Sequence, residues 1–422
     1  MARKWIPHHE VLLLAMVILL PLAQATAPAI FIFGDSTADV GTNSFLPNSK
    51  ARANFPPNGI DFPHSRPTGR FSNGLNSADF LVVIKSESVA FYAVFLLAKL
   101  FGYKRSPPPF LALNSTTLKR RSFTGVNFAS GGSGLLDITG QSTLTLMKFG
   151  KEKIPINSLS SKSQKHVIPF GEQIQQFSTV REILVDAMGS KAAKKFLSKS
   201  LFFISTGSND IFGYYYSKSS VSKEEFLGSL GATYENHLRG LLNLGARKFG
   251  VIGIPPLGCC PSQRVFNITS GCLEELNDLA RAFHPILDAI LWKLSSKYEE
   301  MNYSLGNSYE MTINVIDHPL QFNFKDEKSA CCGAGKLNGE AFCSSEANLC
   351  LNRNEFLFWD LFHPTQAASK LAALTLYGGP PRFAKRWIPL VDLPLAQETV
   401  QAIFILGDST ADVGTNTFLP DS

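Results

Sequence analysis

PAIFIFGDSTADVGTNSFLPNS runs from residue 28 to residue 49. Residues 29–33 are an uninterrupted apolar run of strand length, the pattern of a buried strand. Gly34 lets the chain turn sharply, and Asp35 and Ser36 follow it into a polar, turn-rich segment. A hydroxyl just past the end of a buried strand stands where open α/β sheets present their reacting groups, so Ser36 is a candidate nucleophile. The same motif recurs at 401–422 as QAIFILGDSTADVGTNTFLPDS, with 18 of 22 positions identical. The copies are not equivalent. More than 350 residues follow Ser36, whereas only 13 follow Ser409, too few to supply a base and an oxyanion hole.

Downstream of 29–33, strand-like and helix-like segments alternate. Segments 123–129, 201–205, 249–254 and 312–316 read as further strands. The first of them ends in Ser130-Gly131-Gly132-Ser133-Gly134, a turn that glycines tolerate best, and 201–205 runs into Thr206-Gly207-Ser208-Asn209-Asp210. Amphipathic helices are expected over 170–188, 224–244 and 272–300; in the last, Leu276, Leu279, Phe283, Leu287, Ile290 and Leu294 recur at helical spacing. A closing helix over 365–377 has Pro364 at its first turn. Strands separated by helices require right-handed crossovers and a parallel sheet covered on both faces. The expected fold class is therefore α/β, a three-layer α/β/α sandwich around a central parallel sheet of about five strands.

The ends of the chain are read separately. Arg3 and Lys4, an apolar core over 11–20 and Ala23-Gln24-Ala25 make residues 1–25 a secretory signal peptide, too short in its apolar part to span a bilayer. The body of the chain is then a single domain over 26–382, and 383–422 is a partial repeat of the N-terminus expected to contribute nothing to folding or catalysis. Within the body, 82–96 reads as an atypical insertion, since the Phe80-Leu81 junction repeats at Phe95-Leu96. Three sequons, at Asn114, Asn267 and Asn302, mark expected glycosylation sites in a secreted, extracellular protein. All seven cysteines lie between 259 and 350, which predicts local disulfides: Cys259 with Cys272, two more among Cys331, Cys332, Cys343 and Cys350, and Cys260 free. Four cysteines permit three pairings, which stay open. Zinc is disfavoured, because Cys331-Cys332 lacks C-x-x-C spacing and no histidine pair sits nearby. The net charge of +6 is diffuse, with no basic run longer than Lys119-Arg120-Arg121, so nucleic acid is not an expected partner.

Each glycine-marked strand end offers one piece of a hydrolytic site. Gly131 can place a backbone N–H beside a substrate oxygen, and Asn209 can offer a side-chain N–H. Near the C-terminus, Asp360-Leu361-Phe362-His363-Pro364 sets a carboxylate and an imidazole three residues apart, so Asp360 can hold the tautomer while His363 faces the serine. His166, His237, His284 and His318 have no flanking motif and read as structural. Asp35 reads as a partner of local backbone rather than as the triad acid, since adjacent residues in an extended segment point apart.

In this order and spacing the motifs resemble the plant branch of the GDSL lipase/esterase family, within the SGNH hydrolases. The matching residues are Phe33-Gly34-Asp35-Ser36, Asn127-Phe128-Ala129-Ser130-Gly131-Gly132, Gly207-Ser208-Asn209-Asp210 and Asp360-Leu361-Phe362-His363-Pro364, with Gly69-Arg70-Phe71-Ser72-Asn73-Gly74 and Pro255-Pro256-Leu257-Gly258-Cys259 also similar. The resemblance covers roughly 29–381 and implies a flavodoxin-like SGNH fold. It implies Ser36 as nucleophile, His363 as base and Asp360 as its orienting acid. The implied oxyanion donors are Ser36, Gly131 and Asn209. It further implies a small-molecule or lipid ester as substrate, no metal or organic cofactor, no stable membrane insertion and a monomer. Thr37 stands where the motif usually has Leu, a tolerable change for a side chain that makes no bond to substrate. Two other readings remain open: an acyltransferase using the same acyl-enzyme, and an inactive binding protein of the same fold.

Overall fold

The structure, a computed structural model, describes residues 27–80, 106–120, 123–140, 167–378 and 382–385. The expected signal peptide, the expected insertion at 82–96, His166, Ser409 and nearly all of the C-terminal repeat lie outside the described residues. The described residues from Pro28 onward belong to one compact unit.

Strand β1 (Ile30–Gly34) is buried at all five positions and is an interior strand of the sheet. Its neighbours are β2 (Gly125–Asn127) and β3 (Leu201–Ser205), and β4 (Lys248–Ile252) and β5 (Asn302–Gly306) extend the sheet beyond β3. All these pairs are parallel, in the order β5-β4-β3-β1-β2. Long helices are α1 (Phe170–Met188), α2 (Ser190–Lys199), α3 (Ser208–Ser217), α4 (Lys223–Asn243), α5 (Glu274–Lys297), α6 (Ser308–Asp317) and α7 (Gln366–Gly378). The expected parallel α/β fold is thus present. Its core is aromatic: Phe33 stacks on Phe128 with centroids 4.9 Å apart, and Phe177 of α1 meets Phe31 and Phe202 edge-on at 5.1 and 5.2 Å. Because β2 and β3 lie on opposite sides of β1, the chain reverses its winding there, and a crevice opens at the carboxyl ends of β1 and β3.

Two expectations need correction. Segment 312–316 is helical, inside α6, and the fifth strand is Asn302–Gly306. The β-branched run Thr312-Ile313-Asn314-Val315-Ile316 favours a strand only in isolation. Here Asn307 caps a helix by accepting the Glu310 N–H at 3.1 Å, and Met311 and Val315 pack inward at i, i+4. Nor is the body's end at 382. Phe383 is 5% exposed and packs with Met311 and Leu376, and β10 (Ala384–Lys385) pairs antiparallel with the edge of β5.

A cysteine-rich module precedes the closing helix. β6 (Asp326–Ala330) pairs with β9 (Phe356–Phe358), and β7 (Cys332–Gly333) pairs with β8 (Asn348–Leu349). The disulfides are Cys259–Cys272, Cys331–Cys350 and Cys332–Cys343, and Cys260 is free and buried.

A chain ending at Arg382 should melt several degrees below one ending at Ile388, and Phe383→Ala in the full chain should cost about 3 kcal/mol. Thermal unfolding measures both; equal melting temperatures for the two chain ends would show that the β10 edge is dispensable.

Candidate active site

The site begins where β1 stops. Gly34 has φ +146°, and a Cβ at that position would lie 2.0 Å from Ser205 O, so only glycine can pass this close to β3. Asp35 N–H reaches the same carbonyl at 3.1 Å, and the N–H groups of Ala38 and Asp39 fold back onto Asp35 O at 3.2 and 3.0 Å. This tight turn lifts Ser36 off the sheet edge, leaving it half-buried.

His363 arrives from the far end of the chain. Its Nε2 lies 2.7 Å from Ser36 Oγ, and its Nδ1 lies 2.8 and 2.9 Å from the two oxygens of Asp360. Asp360 Oδ1 also accepts the backbone N–H groups of Phe362 and His363, both at 2.9 Å, which fixes the carboxylate within its own turn. The turn is anchored behind by Trp359, fully buried, whose indole N–H donates to Asn58 Oδ1 at 2.9 Å. Trp359 O accepts Cys332 N–H at 2.7 Å, so the disulfide module sets the position of the acid–base pair. Phe71 covers the imidazole with centroids 4.9 Å apart.

Asn209 opens α3 directly after β3. Its Nδ2 donates to Ser133 O at 2.8 Å and retains a second proton. The N–H of Ser36 has no hydrogen-bond partner among the described residues. Gly131 departs from expectation: its N–H donates to Asp39 Oδ2 at 2.8 Å and is therefore already committed. The adjacent Gly132 N–H has no partner among the described residues. Glycine is still demanded at 131, because a Cβ there would come within 2.5 Å of the Phe71 ring. In a Gly-Gly pair the sequence carries no signal for which N–H is spent on the scaffold.

Three buried carboxylates surround the constellation, and sequence reasoning missed the role of two. Asp39 accepts from Gly41, Thr42 and Gly131 N–H, and Asp210 accepts from Leu135 and Leu136 N–H and from Thr139 Oγ1. Burial pushes each up to about 6 despite these donors. Asp35 is also raised by burial, against the two bonds from Thr37; it serves its local turn, with Thr37 N–H and Oγ1 donating to Oδ1 at 3.0 and 2.8 Å. Thr37 Oγ1 also lies 2.9 Å from Ser205 Oγ, so the residue that replaces Leu is tied to the scaffold. His237 bonds Leu135 O at 3.1 Å and His318 bonds Asn314 O at 3.3 Å, both away from Ser36.

These carboxylates give stability a pH dependence of known sign. Asp39 and Asp210 are raised from an ordinary 3.8 to about 6, so between about 4 and 6 the folded chain holds protons that the unfolded chain has released. Stability should therefore rise as pH falls through 6. His237, lowered by burial, opposes this with a single group, and the Asp61–Arg353 pair, which lowers Asp61, is lost only below about 4. Calorimetry should find a higher melting temperature at pH 5.5 than at 7.5; a lower one contradicts the assignment.

The family model for GDSL-like Lipase/Acylhydrolase matches residues 30–376. Among similar Arabidopsis thaliana proteins, GDSL esterase/lipase At5g55050 is 34% identical over 356 residues, covering 82% of this chain and 84% of its own. GDSL esterase/lipase 6 is 34% identical over 376 residues, covering 87% of this chain and 91% of its own. GDSL esterase/lipase EXL2 is 33% identical over 356 residues, covering 82% and 86%. The matched span contains both ends of the Ser36–His363 contact and every strand of the parallel sheet, and the chain belongs to the GDSL lipase/acylhydrolase family.

Proposed function

We propose that this carboxylic ester hydrolase works through an acyl-enzyme on Ser36. The observation that carries the reading is the continuous hydrogen-bonded chain Ser36 Oγ, His363 Nε2, His363 Nδ1, Asp360, with links of 2.7, 2.8 and 2.9 Å. With Nδ1–H held by Asp360, the lone pair of Nε2 faces the serine hydroxyl. His363 takes that proton as Oγ bonds to the ester carbonyl carbon, and the carbonyl π electrons move onto oxygen. Collapse expels the alkoxide, which takes the proton from Nε2 and leaves as the alcohol. Water repeats the sequence, giving carboxylic acid and free Ser36.

The oxyanion is received by Ser36 N–H, the remaining proton of Asn209 Nδ2 and Gly132 N–H, the last in place of Gly131. Each such donor is worth on the order of 10²–10³ in rate. The substrates in this reading are lipid, cutin-type or acetyl esters, and the protein is a secreted monomer. Secretion is supported by the basic and apolar N-terminus, by the three disulfides and by the exposed sequon residues Asn114 and Asn302. Asn267 is less available because it is half-buried, with Nδ2 donating to Cys272 O at 3.2 Å.

On p-nitrophenyl esters from acetate to palmitate, Ser36→Ala should lower kcat at least about 10⁴-fold. Asn209→Ala should lower it on the order of 10²-fold, and Ser409→Ala should leave it unchanged. Equal losses from Ser36→Ala and Ser409→Ala would overturn the assignment. Mass spectrometry of the extracellular protein should find a terminus near Thr26; an intact Met1 there would refute the signal peptide.

A further inference from the structure

Gln173 lies in the first turn of α1, and its side chain is fully buried. Polar side chains are rarely buried without a structural demand for their hydrogen bonds, and here the demand comes from the nucleophile turn. Ile30 N–H takes Thr124 O and Ile32 O takes Phe128 N–H, so the even-numbered backbone groups of β1 face β2. The β1–β2 register ends at Ile32 opposite Asn127, two residues before Gly34. Beyond that register Ser130 N–H still reaches Gly34 O at 3.0 Å, as the next rung of the ladder would, but Gly34 N–H meets no backbone carbonyl among the described residues. Gln173 fills that place. Its Oε1 accepts Gly34 N–H and its Nε2 donates to Gly34 O, both at 2.9 Å, as a paired strand would. Nε2 also reaches Ile168 O at 3.0 Å and Ser133 Oγ at 3.2 Å. One N–H and two carbonyls around the amide allow only this orientation of its oxygen and nitrogen.

The same residue therefore ties three segments. Gly34 leads into Ser36 by two residues. Ser133 Oγ donates to Gly34 O at 2.9 Å, and Ser133 O holds Asn209 Nδ2. Ser130 N–H also ends on Gly34 O, at 3.0 Å, which brackets Gly131 and Gly132 between two contacts to one carbonyl.

We infer that Gln173 is a positioning residue: it supplies the acceptor that the β2 chain does not give Gly34 N–H and sets the nucleophile turn and the oxyanion loop in one register. The inference rests on the acyl-enzyme reading of Ser36. Its consequence is kinetic, because displacement of a nucleophile or donor by about 1 Å can cost on the order of 10²-fold in rate without loss of substrate affinity.

The test is Gln173→Met in the full chain, which keeps length and removes every hydrogen bond, with p-nitrophenyl butyrate as substrate. Expected is a fall in kcat of about 10–100-fold with KM within about two-fold. Leu184→Ala, a buried position near the other end of α1, provides the comparison: a lowered melting temperature with kcat unchanged. Ser133→Ala removes only one hydroxyl and should lower kcat about five-fold, which keeps the inference testable if Gln173→Met is insoluble. The inference is overturned if active wild-type protein and folded Gln173→Met share the same kcat, if Leu184→Ala loses as much, or, where only Ser133→Ala folds, if that variant is unaffected. Wild-type protein inert toward esters would instead bring down the acyl-enzyme reading, and this inference with it.

Discussion

One hydrogen bond joins side chains 327 residues apart in sequence, Ser36 Oγ and His363 Nε2 at 2.7 Å, and the fold is organised around keeping it. Neither partner could hold that distance alone. Ser36 sits on a turn with no side chain at Gly34, and His363 sits in a loop between a three-residue strand and a helix. The serine end is held by the interior strand β1, by Asp35 N–H on Ser205 O and by the Gln173 amide. The histidine end is held by Trp359, itself clamped between Asn58 and the backbone of Cys332. The disulfides thus act on the site through a backbone carbonyl, without touching a reacting atom.

The polar scaffold has an energetic cost. Asp39 and Asp210 are buried where charge is disfavoured, yet they collect the N–H groups of Gly41, Thr42, Gly131, Leu135 and Leu136 that the loops leave without strand partners. Loops pressed against a crevice cannot give these groups to water, so a buried acceptor is the remaining solution. Because burial raises both carboxylates to about 6, that solution is expected to leave the fold less stable at neutral pH than in mild acid. The Gly131–Gly132 pair shows the trade: the first N–H is spent on the scaffold, and the second has no partner among the described residues.

What was legible in the sequence follows the same division. Residues 201–205 could be read as a strand because four apolar residues and a serine run into a glycine-marked turn. The Asp-x-x-His turn could be read because its spacing alone makes the geometry. The fifth strand could not: Asn302–Gly306 contains Ser and Gly, and it is a strand because β4 lies beside it, whereas the β-branched 312–316 yielded to a helix cap and tertiary packing. Gln173 was illegible for another reason. A glutamine in the first turn of an amphipathic helix reads as a solvent-facing residue until the end of the neighbouring strand is known. The pairing among Cys331, Cys332, Cys343 and Cys350 likewise depended on β7 meeting β8.

The central claim is that Ser36, activated by His363, is the residue that reacts. The direct measurement is mass spectrometry of the full chain after treatment with a serine-directed phosphonate, in wild type and in His363→Ala. The account predicts a single adduct on the peptide that carries Ser36, none on the peptide that carries Ser409, and almost no labelling in the variant. An adduct on Ser409, or undiminished labelling of Ser36 without His363, would contradict it.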